Sequence, residues 1–393
     1  MLSEASVWLR RSACALVALG SSSAVAAEYQ LTPYGSVTAE YNSNVFDLPS
    51  HQVARAENGD DQLSDTVMRY LAGAEGALPV RKQKLRANLE LRRLDFVHFD
   101  RLDHNEYLFG TGIDWNVLST LDGALDYRQE RRMAAFADRT TTQLTLETER
   151  IASGSANLVI NPEWRLESGV RLRSLDSPLP AYPEFALKEN SIDLVAKYLA
   201  IDKLVAGVFT EYLSGKFEGV PAPGKFHQES IELVADYTLS EISKVAAKLG
   251  YTRRNDDGGG TVSGLTGMAA YHRDLTGRTS ADVQVFRRVR SYVGGASAVV
   301  ETGIGTALTW RVTEKIAVAG AAEWTHSTYE DGSASQRKDD YESWSIRMNY
   351  QPRPWLALRP YTGYRVRNSS VNRDDFHSGV IGLELQARFQ LPR

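Results

Sequence analysis

Cysteine is nearly absent from this sequence. The chain has 393 residues and a single cysteine, Cys14, so no intrachain disulfide and no cysteine-based metal centre is available to it. Charge of one sign is missing as well. Lys and Arg total 45 against 49 Asp and Glu, a formal net charge of -4, which leaves no basic excess for a nucleic-acid partner. Long hydrophobic runs are also lacking. Mean hydropathy is -0.33, and beyond residue 26 no stretch approaches the roughly 18 to 20 apolar residues of a membrane-crossing helix. No G-x-S-x-G nucleophile context is found, and Asp256-Asp257-Gly258-Gly259-Gly260-Thr261 is a flexible loop with no helix after it to hold a phosphate.

What is present begins with a secretory signal. Arg10 and Arg11 are basic, Ala13 to Leu19 is a short apolar core, and Ala24-Val25-Ala26 is a small-x-small cleavage site. This predicts a signal peptide over 1–26 and one domain over 27–393. Cys14 falls inside the signal, so the mature chain has no thiol.

From Leu31 onward, segments of roughly ten residues place an apolar side chain at every second position, the pattern of a transmembrane β-barrel. Leu85, Ala87, Leu89 and Leu91 oppose Arg86, Asn88, Glu90 and Arg92. Ile231, Leu233, Ala235 and Tyr237 oppose Glu232 and Asp236, and Ile381, Leu383, Leu385, Ala387 and Phe389 oppose Glu384 and Arg388. Charges fall almost wholly on the second face. A Lys or Arg facing lipid at the midplane costs about 2–4 kcal/mol, which accounts for their absence from the first. The phase breaks at Arg92-Arg93, where a β-bulge is expected.

Connections alternate in length. Short ones lie near 79–84, 118–120, 161–163, 200–203, 239–243, 274–277, 312–314 and 351–354. Long polar ones lie near 42–65, 98–106, 133–141, 175–189, 215–227, 254–263, 288–297, 327–340 and 368–377. The expected fold is an all-β, antiparallel, up-and-down barrel of about 18 strands with both termini on the short-turn side, in the outer membrane of a Gram-negative bacterium. Trp115, Trp164, Trp310 and Trp355 lie near short turns, as an interfacial girdle requires. A periplasmic sandwich or propeller also alternates, but neither needs loop lengths that alternate strictly.

Several segments resemble a known family. Pro33-Tyr34-Gly35-Ser36-Val37-Thr38-Ala39-Glu40-Tyr41-Asn42-Ser43-Asn44-Val45-Phe46 is similar to the opening strand of the exopolysaccharide-operon outer-membrane barrels, the EpsL-type β-barrel porins. Leu89 to Phe96, Leu102 to Tyr107, Gly112 to Trp115 and Thr148 to Ala156 continue the resemblance in order. The resemblance implies a role in exopolysaccharide export or secretion, with exopolysaccharide and periplasmic export components as partners beside outer-membrane lipid. It supplies no catalytic residue, and no cofactor is expected.

The candidate functional residues are arginines of the second face. Arg165, Arg171 and Arg173 share one face of one strand, and Arg359, Arg365 and Arg367 share another. Guanidinium groups pair bidentately with carboxylates, so these six could guide an acidic polymer. Cross-strand ion pairing that stiffens the lumen is the competing reading. The expected function is a non-catalytic export channel, with a general or uptake porin as the alternative and an outer-membrane hydrolase as a third. His98, Asp100, Asp103 and His104 lie near the second outer loop without a fixed metal-ligand spacing, so a hydrated loop tip is expected there.

Overall fold

The computed structural model describes residues 29–389 except 140, 179–183, 220–223, 258–259, 293–296 and 331–336. The expected signal over 1–26, with Cys14 and the Ala24-Val25-Ala26 site, lies outside the described residues, as do residues 390–393.

Period-two alternation over long segments dictates strands, and eighteen form. The first nine are β1 (Gln30–Asn42), β2 (Asp65–Val80), β3 (Gln83–Phe96), β4 (His104–Leu118), β5 (Leu121–Met133), β6 (Leu146–Val159), β7 (Trp164–Asp176), β8 (Ala186–Ile201) and β9 (Leu204–Glu218). The second nine are β10 (Lys225–Ser240), β11 (Ser243–Asp256), β12 (Gly260–Thr276), β13 (Thr279–Tyr292), β14 (Ser297–Arg311), β15 (Ile316–Glu330), β16 (Lys338–Arg353), β17 (Leu356–Ser369) and β18 (Phe376–Arg388). Each pairs antiparallel with its chain neighbours, and β1 pairs with β18 from Tyr34↔Arg388 to Asn42↔Val380. The sheet is therefore a closed barrel. Closure matters because lipid offers no partner to an unpaired backbone group. No helix among the described residues is long and apolar enough to cross a membrane.

The facing follows the sequence pattern. Leu233 is 68% exposed and Leu249 is 62% exposed, values that make sense only for a face covered by lipid. Trp164, Trp310 and Trp355 stand on the outer surface by the short turns. Trp164 packs against Tyr198 at 5.0 Å, and Trp355 stacks on Phe389 at 5.9 Å. Tight turns at 81–82 and 202–203 place Arg81 and Lys203 at φ 56° and 64°, the left-handed conformation that two-residue hairpins demand.

Two expectations need correction. The strands run 13 to 17 residues rather than about ten, so the outer loops are shorter than the polar segments implied. The polar stretch at 254–263 reduces to a connection over 257–259 between β11 and β12. Beyond the bilayer both strand faces are wet, and the alternation that marks a strand fades there. The bulge expected at Arg92-Arg93 is also absent, since β3 keeps unbroken register with β2 and β4 across that position. Leu94 and Phe96 instead point inward, where they are buried against an inserted loop, and Arg93 points outward to pair with Asp95 and Asp103.

Leu233 and Asp236 test the facing directly. Leu233→Arg places a cation against lipid and should cost about 2–4 kcal/mol if near the midplane, whereas Asp236→Arg places one in the lumen. The expected outcome is a loss of the heat-modifiable folded band on detergent gels for the first variant and its retention for the second. Equal folding yields would contradict the assignment.

Candidate functional site: the barrel lumen

Inward-facing side chains, brought together only by closure, build the lumen. Its outer half is filled from one side by the 43–64 segment. Phe46, 1% exposed, sits at the centre of an apolar cluster with Val45, Leu48, Leu94, Phe99 and Phe136. The rings of Phe99 and Phe136 meet Phe46 edge-on at 4.7 and 5.0 Å. The segment carries one helix, α1 (His51–Asn58), capped by Ser50, whose hydroxyl accepts from the Val53 amide. Gly59 ends it at φ 74°, a conformation that favours glycine. Buried Asn44 clasps the entry, donating to the Leu48 and His377 carbonyls and accepting from the Leu48 amide.

Charged groups fasten this segment to the wall. Arg365 on β17 pairs with Asp47 at 3.1 Å, and Arg373 pairs with Glu57 at 2.7 Å. Arg101 lies 5.1 Å from the Phe46 ring centre and donates to the Thr142 carbonyl. Arg367, itself buried, donates to the Ala137 carbonyl of the 134–145 segment across the barrel. At the rim Asp60 accepts from His98 at 2.7 Å. The Gln62 amide and then the His98 ring hold that exposed carboxyl below its ordinary range.

A second inward contact comes from the outer end of β13. Pairing of β13 with β12 stops at Arg287, while pairing with β14 continues to Tyr292. This outer end of β13 reaches into the lumen, where the Ser291 hydroxyl donates to Glu189 on β8 at 2.6 Å and accepts from Arg254 on β11 at 2.9 Å. Arg254 is 1% exposed and lies 3.7 Å from the Phe226 ring centre. Glu189 also pairs with Arg173, which pairs in turn with Glu149.

The six candidate arginines therefore divide. All face inward, as the shared-face reading requires. Arg173, Arg365 and Arg367 hold partners that fix the outer half. Arg359 donates to Asn349 and pairs with Glu384 near the periplasmic end. Arg165 and Arg171 make no ion pair among the described residues, although Glu211 has Arg171 among its charged neighbours. The residues near the second outer loop are drawn apart. His98 binds Asp60, while buried His104 binds the Leu102 carbonyl and Glu106. No group of three or more potential ligands converges among the described residues.

At mid-height the two walls differ. On one wall Arg347 of β16 lies 5.4 Å from the Tyr361 ring centre, and Arg69 of β2 is also a charged neighbour of Tyr361. The Tyr361 hydroxyl donates to Glu40 at 2.5 Å. Neither arginine makes an ion pair among the described residues. Strand order puts β7 and β8 nine strands from β16 and β17 in either direction, diametrically across the lumen. There Asp193 stands directly opposite Glu211 in the β8–β9 register, and Glu232 and Asp236 follow on β10. Lys197, Lys248 and Arg171 are the bases among them. Strand parity alone puts Arg69, Arg347 and these acids on the inner face, but only closure sets them on opposite walls. The buried Arg254 went unnoticed, because nothing in Thr252-Arg253-Arg254-Asn255 distinguishes one arginine from the other.

A closed 18-stranded barrel with an apolar outer belt, aromatic residues at its margins and a charged lumen is an outer-membrane β-barrel with porin architecture. No established protein family and no curated sequence matches the chain. Solved structures do. The Pseudomonas aeruginosa OpdK structure with vanillate matches at TM-score 0.51 and 11% identity, covering 91% of this chain and 99% of that one. The Pseudomonas aeruginosa OccK2 (OpdF) structure in complex with glucuronate matches at TM-score 0.50 and 10% identity, covering 93% and 99%. At such identities the likeness is one of fold.

The Phe46 cluster yields a prediction. Phe46→Ala removes a buried ring at a cost of about 3–5 kcal/mol, borne by the inserted segment and not by the strand pairing. Single-channel conductance in a planar bilayer should rise or flicker while the barrel remains heat-modifiable. Conductance identical to wild type would show that the segment does not narrow the path.

Proposed function

We propose that this protein is a non-catalytic channel through which small carboxylate-bearing solutes cross the outer membrane. The observation that carries the reading is the asymmetry of the lumen at mid-height. Arg69 and Arg347 flank Tyr361 on one wall, and Asp193, Glu211, Glu232 and Asp236 gather across from them. Charges lining a pore select and orient what passes. A solute with a carboxylate at one end and hydroxyl groups at the other would cross with its carboxylate against the guanidinium wall. Vanillate and glucuronate, bound by two barrels of like fold, are carboxylates, and this supports the same chemical class here.

Export of exopolysaccharide is the second reading, and it rests on the resemblance of the N-terminal strands to the exopolysaccharide-operon barrels. Under that reading Arg165, Arg171, Arg173, Arg359, Arg365 and Arg367 would guide an acidic polymer. The inserted 43–64 segment and the inward contacts of Ser291 at the outer end of β13 take up lumen space in the outer half, which favours small solutes.

Planar-bilayer recording tests the proposal with glucuronate as the probe. Added glucuronate should reduce wild-type conductance, and Arg69→Gln with Arg347→Gln should weaken that block several-fold and shift the reversal potential toward cations. An unchanged block in the folded double variant would remove the guanidinium wall from the mechanism. Loss of secreted polymer on deletion of the protein in its host, with normal uptake of carboxylates, would favour export instead.

A further inference from the structure

The outer surface carries a charge pattern that neither transport nor folding uses. Arg150 on β6 stands opposite Ser174 on β7, and Ser174 stands opposite Lys188 on β8. Lys188 stands opposite Lys216 on β9, and Lys216 opposite Lys225 on β10. These five residues form one row across five adjacent strands. All point outward, because they share the parity of the lipid-facing Leu172, Ile192, Tyr212 and Ile231.

Such a row is unfavourable by itself. Like charges directly opposite in a sheet repel, and here three lysines are consecutive. Protein carboxylates compensate only in part. Asp176 pairs with Arg150 at 2.5 Å, and Glu218 is shared between Lys188 and Lys216. Asp257 closes the far end, yet Lys225 makes no ion pair among the described residues.

Beneath the row the wall is hollowed. Ala152, Asn190 and Ser214 are small or short at the next outward level, and a concavity of about 580 Å³ opens there, bordered by Leu172 and Tyr212. Leu172 lies two residues below Ser174, about 7 Å along the strand, and Val170 and Ile192 continue the apolar belt two residues deeper. The cations thus stand where headgroups meet acyl chains on the outer side. A like row on the opposite side is not basic. On β13 to β16 a comparable outward row reads Arg287, Thr302, His326 and Asp340.

We propose that this basic, hollowed face of β6 to β10 is a binding site for the phosphorylated headgroup of an outer-leaflet glycolipid. Lysine ammonium groups serve phosphate as point charges, and Arg150 adds a planar donor. The acyl chains continue down the apolar wall, which commits the site to a lipid phosphate and not to a soluble anion. A lipid phosphate at headgroup level would also relieve the repulsion within the row.

Native mass spectrometry of the full barrel in detergent provides the test, with bisphosphorylated lipid A as the probe. Wild type should retain one lipid A and should not retain the same glycolipid after dephosphorylation. Lys188→Gln, Lys216→Gln and Lys225→Gln together should weaken retention about tenfold or more, with the heat-modifiable band intact, and the corresponding three Arg substitutions should preserve it. If the triple variant does not fold, Lys225→Gln alone should still weaken retention, since that lysine supports no ion pair. Equal retention by the folded triple variant, or of the dephosphorylated glycolipid by wild type, would overturn the proposal. Complete displacement by millimolar inorganic phosphate would likewise overturn it, by assigning the site to a free anion.

Discussion

Backbone pairing across the seam between β1 and β18 is the constraint on which the remaining structure depends. In hydrocarbon an unpaired amide or carbonyl has no partner, so a sheet can cross only when its two edges join. The nine paired positions from Tyr34↔Arg388 to Asn42↔Val380 achieve this. The Phe389 amide extends the seam by donating to the Pro33 carbonyl, and its ring stacks on Trp355. Closure also creates the lumen chemistry. Arg367 and Ala137 belong to segments far apart in sequence, and only a closed cylinder lets one donate to the other.

A barrel of this strand number is too wide for its own side chains to fill, and two solutions divide its height. In the outer half the chain supplies extra material: Phe46 and its neighbours from one side, the outer end of β13 at Ser291 from the other. Arginines dominate there because the inserted backbone presents carbonyls and carboxylates that a planar fork satisfies in pairs. Arg92 reaches Glu90, Glu106 and Glu130 together, and Arg139 reaches the Ser177 hydroxyl and the Pro178 carbonyl. Lower down no loop enters among the described residues. Cross-strand pairs such as Arg86 with Asp114 and Asp126 keep the wall charged and wet.

The barrel, its strand count and its two faces were legible because lipid enforces alternation residue by residue. Leu233, Leu249 and Ile381 could be assigned outward from their neighbours alone. Legibility ended where that pressure ends. Leu94 and Phe96 look like a phase slip in the sequence, yet they mark the place where the inner face turns apolar to receive Phe46. The partners of Arg365 and Arg367 were invisible for a different reason. Asp47 and the Ala137 carbonyl lie on inserted segments whose direction no local pattern encodes. Arg165, Arg171 and Arg173 were correctly placed on one face, but facing alone does not separate the last, held by Glu149 and Glu189, from the first two.

The guanidinium wall depends on how Glu40 is occupied. Glu40 faces the lumen beside Arg69 and could neutralise it. Instead it accepts a hydrogen bond from the Tyr361 hydroxyl, whose ring lies against Arg347. The tyrosine thus stands between one carboxylate, which keeps its charge, and two guanidinium groups. Across the lumen Asp193 and Glu211 stand directly opposite each other in the β8–β9 register. Cations gathered on one wall and acids on the other lay a transverse polarity across the lumen of a nearly neutral chain. On the proposed channel reading, such a polarity orients solutes that carry charge at one end.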